Sequence, residues 1–224
     1  MTAAGTRRLS GAYGRRLLSV GLGLAVSAVG IVMMLQANIG LEPWSVLQKG
    51  LSQTLGITYG TASVLVGAAA IGVAVACGEG FGVGTILNIV LCAIFIDLLL
   101  ALGWIPQMTA LLPGVVMLLG GLELLALGTW LYMRAGLGAG PRDALMVALA
   151  RRSGRSVGLC RAVVELGVIL LGWLLGGQVG LGTVLSAVGL GSLFNLNFAL
   201  LRFQASQLHQ ENVKETLSQW RNNG

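Results

Sequence analysis

The chain carries one pattern twice, and the two copies align without a gap at an offset of 98 positions. In this register Gly30 falls on Gly128, Gly40 on Gly138, Pro43 on Pro141, Gly56 on Gly154 and Gly82 on Gly180. Glycine and proline are the residues that set unusual backbone angles, so an offset that recovers them predicts a repeated backbone. In a membrane protein, two copies with an odd number of spans each would have opposite orientations, an arrangement that many transporters use.

The composition indicates a membrane protein. Hydrophobic residues make up 55% of the chain and charged residues 10%, with a mean hydropathy of +0.85, whereas soluble domains contain about a quarter charged residues. Glycine accounts for 35 of 224 residues, which is typical of closely packed membrane helices. The length suits six spans of about 20 residues in one integral membrane domain.

Six apolar runs and the placement of the basic residues predict the topology. The runs are 17–36, 59–77, 83–103, 113–133, 157–177 and 182–201. If both termini are cytoplasmic, 13 of the 14 basic residues lie inside and only Lys49 lies outside, which is a strong positive-inside pattern. The net charge of +6 is therefore explained by orientation in the membrane, and we expect no nucleic-acid partner.

We thus predict an all-α polytopic membrane protein of the bacterial inner membrane, with six transmembrane helices in a 3+3 inverted-topology repeat. Its parts are a cytoplasmic basic N-terminus (1–16), repeat 1 (17–103), an uncharged external linker (104–112), repeat 2 (113–201) and a cytoplasmic tail (202–224).

Each copy has a short proline-headed segment between its first and second spans, at 40–56 and 138–154. Pro43 and Pro141 stand where proline favours the start of a helix, and both segments are too short to cross a bilayer. Two interpretations are open. In one, each segment is an amphipathic helix in the headgroup layer, with Trp44 as its anchor. In the other, the segments are re-entrant half-helices whose positive N-terminal ends approach a site at the midplane from both sides.

These segments also carry a family resemblance. The run ANIGLEPWSVLQKGLSQTLGITYGTASVLVG, followed by GFGVGTILN and FIDLLL, resembles the YczE/YyaS/YitT group of small bacterial membrane proteins, most clearly its YczE branch. The likeness covers nearly all of 15–203 and implies a bacterial inner-membrane protein of uncharacterised function. The first copy departs from the usual pattern, because Glu42 precedes its proline and Ser45 stands where aspartate is frequent. The second copy has the more typical GAGPRDAL.

Ionisable residues within spans are candidate pathway residues, because burying their charge is costly. Glu123 in the fourth span is the first candidate for proton coupling or for holding a cation; its alternative is a neutral acid bonded to a backbone carbonyl. Asp97 and Asn195 are repeat mates that either bridge helices or line a pathway. Arg161 and Glu165 have the spacing of an intrahelical ion pair. The proline turns complete the set with Gly40, Glu42, Pro43, Trp44, Gly138, Gly140, Pro141, Arg142 and Asp143.

Residue types exclude several other chemistries. A single histidine and three scattered cysteines predict neither a metal site nor a catalytic triad. The glycine-rich turn 78–85 lacks the lysine of a phosphate-binding loop. We therefore expect no enzyme activity, cofactor or metal.

The function that this pattern favours is a small secondary transporter or permease for an unidentified low-molecular-weight solute. We expect a homodimer, with glycine-rich faces such as Gly172-x-x-x-Gly176 supplying contacts. The alternatives are a membrane module that binds a substrate without pumping it, like the substrate-capturing subunits of energy-coupling importers, and a membrane scaffold or regulatory protein.

A reporter fused after Met108 tests the topology. We expect activity only outside the cell, because the positive-inside rule and three spans per copy place the linker there. Activity inside the cell would mean that each copy crosses the membrane an even number of times.

Overall fold

The computed structural model describes residues 3–202 and 210–213, with side chains from Tyr13 onward. Within 3–202 the chain forms eight helices: α1 (Ala3–Gln36), α2 (Pro43–Leu55), α3 (Tyr59–Ala76), α4 (Val83–Leu102), α5 (Leu111–Met133), α6 (Pro141–Ser153), α7 (Val157–Leu174) and α8 (Leu181–Leu200). Six of them, α1 from Tyr13 onward and α3, α4, α5, α7 and α8, are long and apolar enough to cross a membrane. The predicted all-α fold with six apolar helices of membrane length is thus confirmed for the described residues, and most of the predicted tail at 202–224 lies outside them.

Proline and glycine set the bounds of the two short helices. Pro43 and Pro141 occupy the first turns of α2 and α6, as predicted, and Gly56 and Gly154 end these helices with φ of 66°. The left-handed conformation closes the last helical turn without the steric cost that a side chain would carry. The sequence therefore determines both helices locally.

Helices α1 and α5 pack antiparallel through glycine along the centre of the bundle. Gly23 on α1 lies against Gly128 and Tyr132, and Gly30 lies against Gly121. A Cβ on Gly23 would stand 2.6 Å from the Tyr132 amide nitrogen, so only glycine permits this approach. The main apolar core forms around this contact, with Leu24, Met34, Leu118 and Leu122 fully buried.

The loops sort to two ends of the bundle. At one end the Met108 amide donates to the Gln36 carbonyl at 2.7 Å, and Leu41 donates to Gln178. At the other end Arg16 donates to the Ala135 carbonyl at 2.6 Å and pairs with Glu211 at 2.7 Å. We call these the linker end and the N-terminal end.

Helices α2 and α6 are packed inside the bundle, α2 mainly against α7 and α3, and α6 mainly against α3 and α7. Trp44 is only 5% exposed and shares an apolar cluster with Leu145. The interpretation of α2 as a headgroup helix anchored by Trp44 is therefore wrong for this structure, because the indole is enclosed by protein.

The contact face predicted for a dimer at Gly172 is used within the chain. A Cβ there would stand 2.5 Å from the Leu47 amide nitrogen, and one on Gly50 would collide with the Gly172 carbonyl oxygen. Gly172 therefore lets α7 approach α2 and is not free to serve a partner subunit.

Two neighbouring glycines of α1 test the central packing. We expect Gly23→Ala to lower the free energy of unfolding by about 1–3 kcal/mol, since the methyl group meets the backbone of α5. Gly21→Ala is the matched control: a Cβ there meets nothing within 4 Å, and alanine favours the helix. Thermal unfolding in detergent measures both, and equal effects would contradict this account of the α1–α5 contact.

Candidate functional site

A cavity of about 420 Å³ lies where the first turns of α2 and α6 meet. All eight helices or their caps contribute to its wall. Its volume falls in the usual range of about 300–1,000 Å³ for small-molecule sites. Apolar side chains such as Leu125 and Phe194 alternate in the wall with polar ones such as Gln48 and Asn195, which is the mixed character of a ligand site.

The two short helices are joined at their N-terminal ends by an ion pair. Arg142 in the first turn of α6 donates to Glu42, the residue before α2, at 2.8 Å. The guanidinium also lies 5.4 Å from the centre of the Trp44 ring, within range of a cation–π interaction. The Glu42 side chain is only 1% exposed, so the pair ties one proline turn to the other inside the bundle.

Glu42 also caps α2. Its carboxylate accepts the backbone N–H of Ser45 at 3.1 Å, the N–H of Trp44 at 3.3 Å and the Ser45 hydroxyl at 2.9 Å. These amides are donors that a helix start leaves unsatisfied. The carboxylate therefore occupies the place where an anionic ligand would bind at this helix end.

A buried hydrogen-bond chain extends from this cap to α3. The Tyr59 hydroxyl lies 2.8 Å from the Ser45 hydroxyl and 2.6 Å from Gln48 Oε1. Through Ser45 and Gln48, Tyr59 thus fixes the capped start of α2 to the first turn of α3. Sequence reasoning missed Gln48 and Tyr59; the available signal for Gln48 was its place one helical turn after Trp44, on the same face of α2.

The second proline turn is built differently. Gly140 stands before Pro141 where the first copy has Glu42, and a Cβ there would come 2.6 Å from the Tyr132 hydroxyl oxygen. Asp143, the mate of Ser45, lines the cavity and is half-buried. Burial raises the pKa of the Asp143 carboxyl above its usual value, while the nearby charges of Arg161 and Arg142 oppose that rise.

Other predicted residues hold the turns in place. Gly40 and Gly138 have φ of 111° and 126°, a conformation that L-residues with a side chain rarely adopt. Gly40 packs on the backbone of Gly180, and Gly138 packs on Gly82. Pro43 borders a smaller neighbouring cavity of about 270 Å³.

The predicted mates Asp97 and Asn195 have different surroundings. Asp97 accepts the Gly60 backbone N–H at 2.7 Å and so joins α4 to the start of α3, whereas Asn195 lines the large cavity. Helices α3 and α4 pack together, but the described residues of α7 and α8 scarcely touch. One position of the repeat thus bridges helices while its mate faces the cavity.

Glu123 lies outside both cavities. Its carboxylate accepts a hydrogen bond from the Asn197 side chain at 3.1 Å, linking α5 to α8. The predicted ion pair of Arg161 with Glu165 is confirmed at 2.8 Å. Both of these residues line the cavity wall, a location that their spacing did not reveal.

The ion pair between the short helices is open to a double-mutant cycle. We expect Glu42→Ala and Arg142→Ala each to cost about 2–4 kcal/mol of unfolding free energy, because each strands a charge or helix donors inside the bundle. The double variant should cost less than the two losses together. The control is the same cycle on the ion pair of Arg151 with Glu79, in which the Arg151 side chain is 70% exposed. This pair should give a coupling energy below about 1 kcal/mol. Equal couplings would show that the Glu42–Arg142 pair is only a surface-type contact.

The chain matches a family and three relatives to which no activity is assigned. The family of unknown function DUF6198 matches residues 14–197. An uncharacterized protein of Haemophilus influenzae is 37% identical over 170 residues, which is 76% of this chain and 77% of the relative.

Two proteins of Bacillus subtilis are also similar. The uncharacterized membrane protein YczE is 30% identical, covering 82% of this chain and 90% of its own length. The uncharacterized protein YyaS is 25% identical, covering 79% and 89%. No solved structure matches the chain.

Proposed function

The chain belongs to the family of unknown function DUF6198, in agreement with the resemblance carried by its sequence, and we propose that this membrane protein is a small secondary transporter for a low-molecular-weight solute. It acts without a catalytic step, and the solute binds in the cavity between α2 and α6. The observation that carries the proposal is the meeting of two proline-headed half-helices, one from each copy, at one cavity. Half-helices of this kind form the binding sites of many secondary transporters.

Contacts that recur with the two copies exchanged support an inverted 3+3 repeat. The Gly182 amide donates to the Ile39 carbonyl at 2.7 Å, and the Gly84 amide donates to the Leu137 carbonyl at 2.7 Å. Each residue of the second contact is the repeat mate of one in the first. A two-fold axis that exchanges the copies accounts for this pairing. The sorting of the loops to two ends of the bundle also agrees with such an axis.

The two cavities are related by the same offset. Part of the wall of the smaller cavity consists of repeat mates of residues in the wall of the larger: Pro43, Arg161, Glu165, Ser186, Ala187 and Leu190 correspond to Pro141, Ser63, Gly67, Asn88, Ile89 and Cys92. An alternating-access mechanism, in which the site opens first to one side of the membrane and then to the other, needs two such related cavities. In any one state of that mechanism one cavity is larger than the other, as the two volumes are here.

The Glu42–Arg142 pair is placed to act as the gate between these states. It joins one half-helix of each copy, so a movement of one copy against the other must break or rebuild it. A homodimer in the bacterial inner membrane with both termini cytoplasmic remains part of the proposal. A light-scattering mass in detergent tests the dimer.

Cysteine accessibility tests the alternation. In a background with Cys77, Cys92 and Cys160 changed to alanine, Ile89→Cys and Ala187→Cys place a thiol at repeat mates in the two cavities. We expect a membrane-impermeant maleimide to label the first from the cytoplasmic side and the second from the outside. Adding Glu42→Gln should lower labelling at position 89 and raise it at position 187, because the gate pair is lost.

Glu79→Gln is the matched control, since it removes the same charge from an ion pair outside both cavities. It should leave both labelling rates unchanged. Labelling of both thiols from one side, or rates that change independently, would reject alternating access. Labelling at one position with no response to Glu42→Gln would favour the binding module that does not pump.

A further inference from the structure

Asp143 differs from the other acidic residues of the described chain. Glu42, Glu79, Glu165 and Glu211 are paired with arginines, Asp97 accepts a backbone amide, and Glu123 accepts the Asn197 amide. Asp143 makes no hydrogen bond or ion pair with another described residue. Asp143 nevertheless lines the larger cavity.

The cationic groups of this cavity are already neutralised. Arg142 is bonded to Glu42 at 2.8 Å, and Arg161 is bonded to Glu165 at 2.8 Å. Glu42 also takes up the free N–H donors at the start of α2. Among the charged side chains of the wall, the two arginines are balanced by Glu42 and Glu165, so Asp143 gives the set a net negative charge. The start of α6 has no side-chain cap, and Asp143 lies in its first turn, where the helix dipole favours a negative charge.

We propose that the solute is an organic monocation, a protonated amine or a quaternary onium ion with an apolar body, and that its charge pairs with Asp143. This inference rests on the transport function proposed above and names the substrate class of the same cavity. A half-buried carboxylate that makes no ion pair with a described residue gains a direct partner from an incoming cation.

The rest of the wall suits the apolar body of such a solute. Phe194, Phe198, Met133, Met146 and Leu125 line the same cavity. Aromatic faces attract cations, and methionine side chains adapt to ligands of different shape. The hydroxyl of Ser27 is buried in this wall and has no hydrogen-bond partner among the described residues, so it is free to bond a solute N–H.

Protons compete with the cation at Asp143. The charged and titratable groups that face the cavity are Arg142 beside it on α6, Glu42 before α2, Arg161 and Glu165 on α7, Tyr132 on α5 and Cys92 on α4. Burial raises the pKa of the Asp143 carboxyl, so the cation-binding form is present above that pKa and is lost as the pH falls through it. Binding of the cation then releases a proton, which supplies an exchange of proton for solute.

A pair of probes with the same shape and opposite charge tests this inference. Tritiated tetraphenylphosphonium and tetraphenylborate are each equilibrated with the full-length protein in nanodiscs, with empty nanodiscs as background. We expect the cation to bind in preference to the anion, and its affinity to fall about tenfold per pH unit once Asp143 is protonated. Asp143→Asn should weaken binding at least about tenfold and remove the pH dependence. Asp143→Glu should retain both.

Glu79→Gln is the matched control, because it neutralises an acid of the same chain outside the cavity; its binding should equal that of the unchanged protein. Thermal unfolding of each variant shows that the fold is retained. Preference for tetraphenylborate, or full affinity of Asp143→Asn for the cation, would overturn the inference.

The outcomes also separate this inference from the proposed function. Reciprocal labelling at positions 89 and 187 without cation binding rejects the substrate class and leaves transport standing. Cation binding at Asp143 without reciprocal labelling supports the substrate class and rejects transport.

Discussion

The ion pair between Glu42 and Arg142 is the interaction on which the arrangement of the centre depends. It joins residues 100 positions apart, at the starts of two short helices that come from the two copies. Because the Glu42 carboxylate is almost completely buried, the pair is stable only where the remaining hydrogen-bonding groups are also satisfied. The cap on α2 supplies this for Glu42, and the Trp44 ring supplies a face for Arg142.

Glycine makes that meeting sterically possible. The turns before α2 and α6 adopt left-handed conformations at Gly40 and Gly138, and each packs on the backbone of a glycine turn from the other copy. A side chain at any of these positions would hold the turns apart. Because no hydrophobic effect drives helices together within a bilayer, such close backbone contact is a principal source of association there.

The two copies have diverged where chemistry is concentrated. The acid of the first proline turn stands before the proline at Glu42, while that of the second stands after it at Asp143. Glu42 caps α2 and pairs with Arg142, whereas Asp143 lines the cavity. The two proline turns therefore carry their acids at different positions and with different partners.

The sequence by itself determined the helices, because their bounds depend on local properties: apolar runs of membrane length, and prolines and glycines at the ends of the short helices. It also indicated the repeat and the family. Only the tertiary structure decided that Trp44 is enclosed, that Gly172 serves an internal contact, and that the mates Asp97 and Asn195 have different neighbours. The physical reason is that the burial and the pairing of a side chain depend on residues far along the chain, and a repeat fixes the course of the backbone without fixing which partner each side chain meets.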